Sequence, residues 1–410
     1  MKRIQAFVLG MGLLAIVFAI VACSQEMSNA EIQSAAQEMG MVTKAEADAM
    51  AQGAMMSDDQ IMAAAADMGM MTEDEAKSMM GDTMMVSNRL QQVKDRGKVI
   101  CASRNDVPGY GYLDAGGNNV GFDIDLCRAL ATAVLGDPNA IEIRLISAAE
   151  RGPTIQSGEV DMLVRTVTWT TSRDSGWGNY AQTMFYDGQG FMVNKDLGVM
   201  SAYDLDGASV CVTQGTTTEL NLADFASQNN LDIEAVTFED TDAVVAAYES
   251  GQCDAFTNDR SQLAALGSAM SDPMAHTILP ETISEEPLGP VVPHGDDQWF
   301  DIVKTVMGIL IYGEAYGVSS SNVPSSVTGD TKVDRLMGLE GSFGQESLGI
   351  SQTAAQDVIK AVGNYGEIYD RNLGPSGINL PRENGRNALW ADAPCQDCPK
   401  GGQIYAAPLR

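Results

Sequence analysis

The chain has 410 residues, 45% hydrophobic and 20% charged, enough to bury more than one core. Asp and Glu number 55 against 25 Lys and Arg, a formal net charge of -30, and such a surface repels nucleic acid and anionic lipid headgroups. With only His276 and His294, a histidine-built metal site or a Ser-His-Asp triad is poorly supplied, and neither metal nor cofactor is expected.

The opening MKRIQAFVLGMGLLAIVFAIVACS sets Lys2 and Arg3 before an apolar run that reads as a signal-peptide core rather than a membrane span. It ends IVAC, which resembles the lipobox of bacterial lipoproteins and implies lipidation of Cys23 as the new N-terminus. The alternative is ordinary cleavage nearby and a soluble exported protein; both place the chain outside the cytoplasm, in the periplasm or on the outer face of the membrane. Setting Cys23 aside, six of the seven cysteines remain: Cys101, Cys127, Cys211, Cys253, Cys395 and Cys398. An even number in an oxidising compartment predicts disulfides. Of the 15 possible pairings, Cys101–Cys127 and Cys211–Cys253 are expected, because each pair bounds one compact segment of similar grammar. CQDCP is expected to close a small local disulfide, with a redox or metal motif as the alternative.

Residues 24–86 carry a duplication: AQEMGMVTKAEADAM at 36–50 returns as AADMGMMTEDEAKSM at 65–79. Four capping boxes, at Ser28, Thr43, Ser57 and Thr72, start four short helices. Gly40 and Gly69 fall where left-handed helix stops belong. Ile32, Ala35, Ala36 and Met39, and again Ile61, Ala64, Ala65 and Met68, share one helical face. The segment reads as two copies of a helical hairpin, a spacer or an interaction module capable of self-association. Methionines 39, 50, 68 and 79 suit the core of such a bundle, and the competing reading is capture of Cu(I) by soft thioethers.

From Ser87 the grammar changes to alternating strands and helices, which implies a mostly parallel sheet covered on both faces. SNRLQQVKDRGKVICAS reads as helix, glycine stop and buried strand; VGFDIDLCRALATAVLG is a helix; IEIRLIS and DMLVRTVTW are strands flanking the short helix of ERGPTIQSGEV. The same order restarts with GASVCVTQGTTTELNLADFASQNN, IEAVTF and TDAVVAAYESGQCDAFTNDRSQLAAL, then breaks at prolines before the long helix DQWFDIVKTVMGILIYGEAYG. The predicted order is a signal peptide at 1–23, the helical segment at 24–86, lobe 1 from 87–192, an inserted lobe 2 at 193–283, and a return to lobe 1 with a C-terminal extension at 284–410. Extended crossings near 190–194 and 282–292 form a hinge.

Three stretches carry recognition chemistry. In VTQGTTTELNL a strand runs into Gly215, and Thr216, Thr217 and Thr218 open a helix whose free N–H groups and hydroxyls suit an anion; a plain capped helix is the bland alternative, and no Walker Lys follows. In RTVTWTTSRD, Thr166 and Thr168 fall on one face of a strand end, with Arg173 beyond; arginine forks onto carboxylates, although a lone arginine is usually a surface residue. In CDAFTNDRSQL, Asp259 stands just past a strand, placed to receive an ammonium or to cap a helix.

Together VTQGTTTEL, GEVDMLVRTVTWTTSRD, YDGQGFMV, SGQCDAFTNDRSQL, EPLGPVVPHGDDQWFDIV and IKAVGNYGEIYDRNLG resemble the periplasmic general L-amino-acid-binding proteins of ABC importers, collinearly from about Gly97 to Arg410. The resemblance implies an α/β, two-lobed type II periplasmic-binding-protein fold that closes on a ligand, and partnership with permease subunits of an ABC importer in the cytoplasmic membrane. By position it implies that Arg173 clamps the ligand α-carboxylate beside Thr168, that Thr166 lies nearer the α-ammonium, that Thr217 reaches the carboxylate from lobe 2, and that Asp259 takes the α-ammonium, with Thr218 as a further ligand-binding candidate. Asn105, Asp106 and Tyr110 stand where the family lines its side-chain pocket, with Trp169 and Thr213 as further candidates. Arg104 lies where some cation-specific relatives have an acid, which favours broad or neutral-to-acidic ligands. The helical duplication, CQDCP and the lipobox depart from the family pattern. An enzyme on the same scaffold, a dehydratase of amino-acid-like acids, is the competing class; it needs a placed acid or base, for which only Asp259 or Asp106 stands out.

Overall fold

The computed structural model describes residues 88–382, 385–392 and 401–409. The expected signal peptide with Cys23, the duplicated segment at 24–86, and Cys395 with Cys398 lie outside the described residues.

Helix α1 (Arg89–Arg96) starts under the Asn88 side chain, which accepts from the Gln91 N–H, and stops at Gly97 in a left-handed conformation. Strand β1 (Val99–Ser103) follows, then a small antiparallel meander of β2 (Asp106–Val107), β3 (Gly111–Leu113) and β4 (Asn119–Val120). In helix α2 (Phe122–Leu135) every residue from Phe122 to Val134 except Arg128 is buried, as befits a helix enclosed between layers. The first lobe continues through β5 (Ile141–Leu145), α3 (Arg151–Gln156), β6 (Met162–Leu163), α4 (Thr171–Gly176) and β7 (Asn179–Tyr180).

Strand β8 (Phe185–Asp187) leads out of this lobe. The second lobe comprises β9 (Gln189–Asn194), β10 (Ser209–Thr213), α5 (Thr217–Asn229), β11 (Glu234–Phe238), α6 (Thr241–Glu249), β12 (Ala255–Asp259), α7 (Arg260–Ala269) and β13 (His276–Ile278). Strand β14 (Glu286–Leu288) then pairs antiparallel with β8 and returns the chain to β15 (Val291–Val292) and the long buried helix α8 (Asp297–Ala315). Helices α9 (Thr331–Leu336), α10 (Gln345–Leu348), α11 (Ala354–Val362) and α12 (Tyr365–Asn372) complete the lobe, and α11 and α12 pack on α2 and α8. Arg382 fastens the following segment, pairing with Glu314 and lying 5.4 and 5.3 Å over the rings of Tyr365 and Tyr369.

The two sheets have the same plan. The first has the order β5-β1-β6-β15-β7 and the second β11-β10-β12-β9-β13. In each, the first three strands are parallel and the fourth, entering from the crossing, is antiparallel. The paired strands β8 and β14 are the two crossings. β14 falls within the expected 282–292, whereas β8 lies earlier than the expected 190–194, because those residues are already bonded to β12 as β9 and the second sheet starts at Gln189. The crossing is tight: a Cβ on Gly289 would stand 2.0 Å from the Gln182 carbonyl oxygen, so glycine is required there.

Both expected disulfides are present, Cys101–Cys127 and Cys211–Cys253. The first staples α2 to β1 and the second ties β10 to the turn before β12, so each lobe is cross-linked at the second strand of its sheet.

One predicted strand is much shorter than DMLVRTVTW suggested. β6 ends at Leu163, and Thr166 takes a left-handed φ of 45°, so Thr166 and Thr168 do not alternate along a strand. The Thr166 N–H instead donates to Asp123 Oδ2 on α2 at 2.9 Å, a long-range bond that pulls the chain out of the sheet.

Candidate functional site

The parallel strands of both sheets end at a common cleft, the position at which open α/β sheets bind ligands. Arg104 follows β1; Arg165, Thr166 and Thr168 follow β6; Thr213 ends β10; Asp259 ends β12. The cleft is lined by Arg104, Ala148, Arg151, Arg165, Thr166 and Thr168 from the first lobe. From the second come Thr213, Thr216, Thr217, Thr218, Thr241, Thr257, Asn258, Asp259 and Gln262.

Gly215 makes the second lobe's contribution possible. Its left-handed φ of 72° turns β10 sharply into α5, with Thr216 as N-cap accepting from the Glu219 N–H at 3.1 Å. Thr217 and Thr218 thereby open the helix at the cleft, and the first lobe meets them there. Thr168 Oγ1 and Thr217 Oγ1 lie 3.4 Å apart across the lobes, and Arg151 Nη2 donates to the Gly215 carbonyl at 3.0 Å.

Of the residues singled out from sequence, Thr166, Thr168, Thr213, Thr217, Thr218 and Asp259 converge on this cleft. Arg173 stands directly behind it. Buried on α4, it donates from Nη1 to the Thr168 carbonyl at 3.2 Å, and its guanidinium lies 4.8 Å over the Trp177 ring. Four others stand elsewhere. Trp169 stacks on Tyr180 with centroids 5.6 Å apart and is 39% exposed, beside Phe300, Lys304 and Tyr405 rather than in the cleft. Tyr110 is buried near the crossing, its hydroxyl 2.7 Å from Ser261 Oγ. Asn105 is half-buried and does not line the cleft. Asp106 forms a bidentate ion pair with Arg104, from Nε to Oδ1 at 2.5 Å and from Nη2 to Oδ2 at 3.0 Å. Burial pushes the Asp106 carboxyl up, but the Arg104 guanidinium outweighs it and holds the group at about 2.

Sequence reading missed two groups. The first is cationic: beside Arg104, whose place near the pocket the sequence already indicated, Arg151 and Arg165 line the cleft, and all three are buried although the chain is strongly acidic. Arg104 spans the lobes, donating to Thr166 Oγ1 at 3.0 Å on its own side and to Gln262 Oε1 at 2.9 Å and Thr241 Oγ1 at 2.7 Å on the other. The only sequence signal was the concentration of arginines at the ends of first-lobe elements.

The second group is acidic. Asp187 and Glu286, on the two crossing strands, face Asp259 in the interior. Glu286 accepts from Thr217 Oγ1 at 3.0 Å, Asn221 Nδ2 at 2.8 Å and Ser284 Oγ at 2.6 Å, and Asp187 accepts from Ser261. Asp259 occupies the N-cap position of α7 but makes no capping bond, so the helix-cap alternative fails; its carboxyl accepts from Gln262 Nε2 at 2.7 Å. Burial, and then the charges of Asp187 and Glu286, push the Asp259 carboxyl well above its usual range, and burial raises Asp187 to about 6. Because its folded-state value is raised, Asp259 is a group whose ionisation opposes folding, and stability is lost as pH rises toward that value. Asp259→Asn is therefore expected to raise the melting temperature at pH 8, with the advantage shrinking as pH falls and gone near pH ~4, the unfolded value. A melting temperature that falls equally at both would overturn this.

Residues 99–316 match the bacterial extracellular solute-binding proteins, family 3. The chain is 46% identical over 325 residues to the general L-amino acid-binding periplasmic protein AapJ of Rhizobium johnstonii, covering 78% of this chain and 92% of that one. It is 43% identical over 328 residues to the glutamate/glutamine/aspartate/asparagine-binding protein BztA of Rhodobacter capsulatus, covering 79% and 94%. Among solved structures, an ABC transporter periplasmic binding protein from Brucella ovis with glutathione bound superposes with a TM-score of 0.73 at 40% identity, over 78% of this chain and 99% of that one.

Proposed function

The chain belongs to the bacterial extracellular solute-binding proteins of family 3, and from that premise we propose that it captures L-amino acids outside the cytoplasm and delivers them to an ABC importer. The observation that carries this reading is the meeting of opposite chemistries in one interlobe cleft. Thr168 and Thr217, backed by Arg173, stand 3.4 Å apart across the lobes, and the carboxyl of Asp259 lines the same space.

The α-carboxylate is held at the threonine pair, taking hydroxyl and N–H donors from both lobes and the guanidinium of Arg173. The α-ammonium goes to the acidic side, where Asp259 receives it with Asp187 and Glu286 behind. A zwitterion thus bonds to both lobes at once, and these contacts, available only when the lobes meet, favour the closed state. The β8–β14 pair is the hinge. Cys23 tethers the protein to the membrane by lipid, and residues 24–86 act as a spacer that holds the lobes off the membrane or pairs with a second copy.

Calorimetric titration with the twenty amino acids tests the proposal. Glutathione belongs in the panel, since its γ-glutamyl end carries the same free ammonium and carboxylate. Failure of every ligand to bind more tightly than about 1 mM, roughly -4 kcal/mol, would reject it.

The acidic side adds a pH signature. An arriving ammonium favours the ionised carboxylate, so the raised acid loses its proton on binding and affinity rises with pH. Because the Asp259 carboxyl is held well above its usual range, dissociation constants are expected to keep falling as pH rises beyond the ordinary carboxylate range. Titration in buffers of different ionisation enthalpy should register proton release near neutral pH. Proton uptake, or affinity that improves as pH falls, would remove Asp259 from the ammonium site.

A further inference from the structure

The three arginines of the cleft are not equivalently engaged. Every N–H of Arg104 has a partner: Nε and Nη2 on Asp106, Nη1 on Thr166 and Gln262, and Nη2 also on Thr241. Arg151 is anchored at the Ala148 carbonyl through Nε at 2.8 Å and crosses to Gly215 through Nη2, and among the described residues its Nη1 alone meets no hydrogen-bond partner. Arg165 differs. Its Nε donates to the Ile146 carbonyl at 2.8 Å, and among the described residues Nη1 and Nη2 meet no hydrogen-bond partner. The side chain is 4% exposed and lines the cleft beside Thr166.

A guanidinium this enclosed, with two donor nitrogens left open to the cleft, is placed to meet an anion that enters it. The protein does not supply that anion. Asp106 is committed to Arg104, Asp123 accepts from the Thr166 N–H, and Glu150 is exposed, accepting from the Ser147 N–H. Burial, and then repulsion from Arg104, lower Arg165 to about 9 against the opposing pull of Asp106, Asp123 and Glu150, none of which bonds to it. A neutral amino acid does not correct the imbalance, because its carboxylate and ammonium cancel. A ligand with one more negative charge does.

We propose that Arg165 is the anchor of a second anion subsite, and that the cleft selects amino acids with a carboxylate in the side chain over their amide counterparts. The inference rests on the amino-acid-binding reading above and adds the ligand class. The ligand's α-carboxylate and α-ammonium occupy the threonine pair and Asp259, and its side-chain carboxylate takes the forked Nη1 and Nη2 donors.

Aspartate against asparagine and glutamate against glutamine, titrated into the wild-type chain and into Arg165→Gln and Arg165→Lys, provide the test. In at least one pair the wild type should bind the acid about tenfold or more tightly than the amide, the scale of a charge-assisted bond in a desolvated site. Arg165→Gln should bring that ratio close to one, while Arg165→Lys, which keeps the charge but loses the fork, should retain part of it. Equal affinity for acids and amides in the wild type would overturn the inference and leave amino-acid binding standing. An acid preference that survives in Arg165→Gln would assign it to another residue and remove Arg165. Absence of binding to any amino acid would remove the underlying reading as well. Because each variant is judged by the ratio of two ligands, a general loss of affinity is not mistaken for a loss of selectivity.

Discussion

Arg173→Ala is expected to raise the dissociation constant of the bound amino acid by about thirtyfold or more, roughly 2 kcal/mol. Arg173 is held rigidly, with its guanidinium on the face of Trp177 and one nitrogen on the Thr168 carbonyl, so little entropy is lost when it meets a carboxylate. Its removal takes a full positive charge from behind the threonine pair and leaves the ligand carboxylate desolvated without its cationic partner. Arg173→Lys should recover part of the loss, because it restores the charge but not the planar fork. Titration calorimetry reads the effect, and circular dichroism of the ligand-free variants checks that the fold persists. An affinity within about twofold of wild type would take Arg173 out of the site.

The largest expected effect on stability comes from the second lobe's disulfide. Cys211 and Cys253 are 42 residues apart, and closing a loop of that length in the unfolded chain is worth about 4 kcal/mol in the chain-entropy description. The double variant Cys211→Ala/Cys253→Ala should therefore unfold at clearly lower urea concentration, with the loss falling between about 2 and 4 kcal/mol. The corresponding change at Cys101 and Cys127, separated by 26 residues, should cost somewhat less through its shorter loop but leave an apolar void between α2 and β1. An unchanged urea midpoint for the Cys211/Cys253 pair would mean that the lobe's packing alone sets its stability. Since neither cysteine touches the cleft, the folded variant should keep its ligand affinity, which separates this test from that at Arg173.

The two substitutions exploit different kinds of information. The disulfides were readable from the chain because each pair brackets a segment whose strand and helix pack on one another, a nearly local relation. The helix starts and stops were readable for the same reason: the Gly97 and Gly136 stops and the Thr216 cap are determined by residues a few positions away. The anion-binding helix start at Thr217 and the acid at the end of β12 could likewise be placed by eye, since a strand that runs into a helix exposes its junction.

What failed was whatever depends on distant partners. Thr166 and Thr168 looked like alternating strand residues, but Asp123, 43 positions away, bends the backbone at Thr166. Trp169 looked like a pocket aromatic, and Tyr180 draws it to the outer side of the lobe. Asp106 is taken by a near neighbour instead, since Arg104, two positions before it, pairs with its carboxylate.

The sequence alone therefore determined the elements, their alternation, the two cross-links, and a short roster of polar residues at strand ends. Side-chain pattern and local capping are sufficient for these. Tertiary structure alone decided which of those residues share a cleft and what charge each carries there. Glu286 reaches Thr217 across 69 positions, and Arg104 reaches Gln262 across 158. The upward shift of Asp259 and the unbonded Nη nitrogens of Arg165 arise from burial among particular neighbours, and burial is a property of the assembled fold rather than of any stretch of chain.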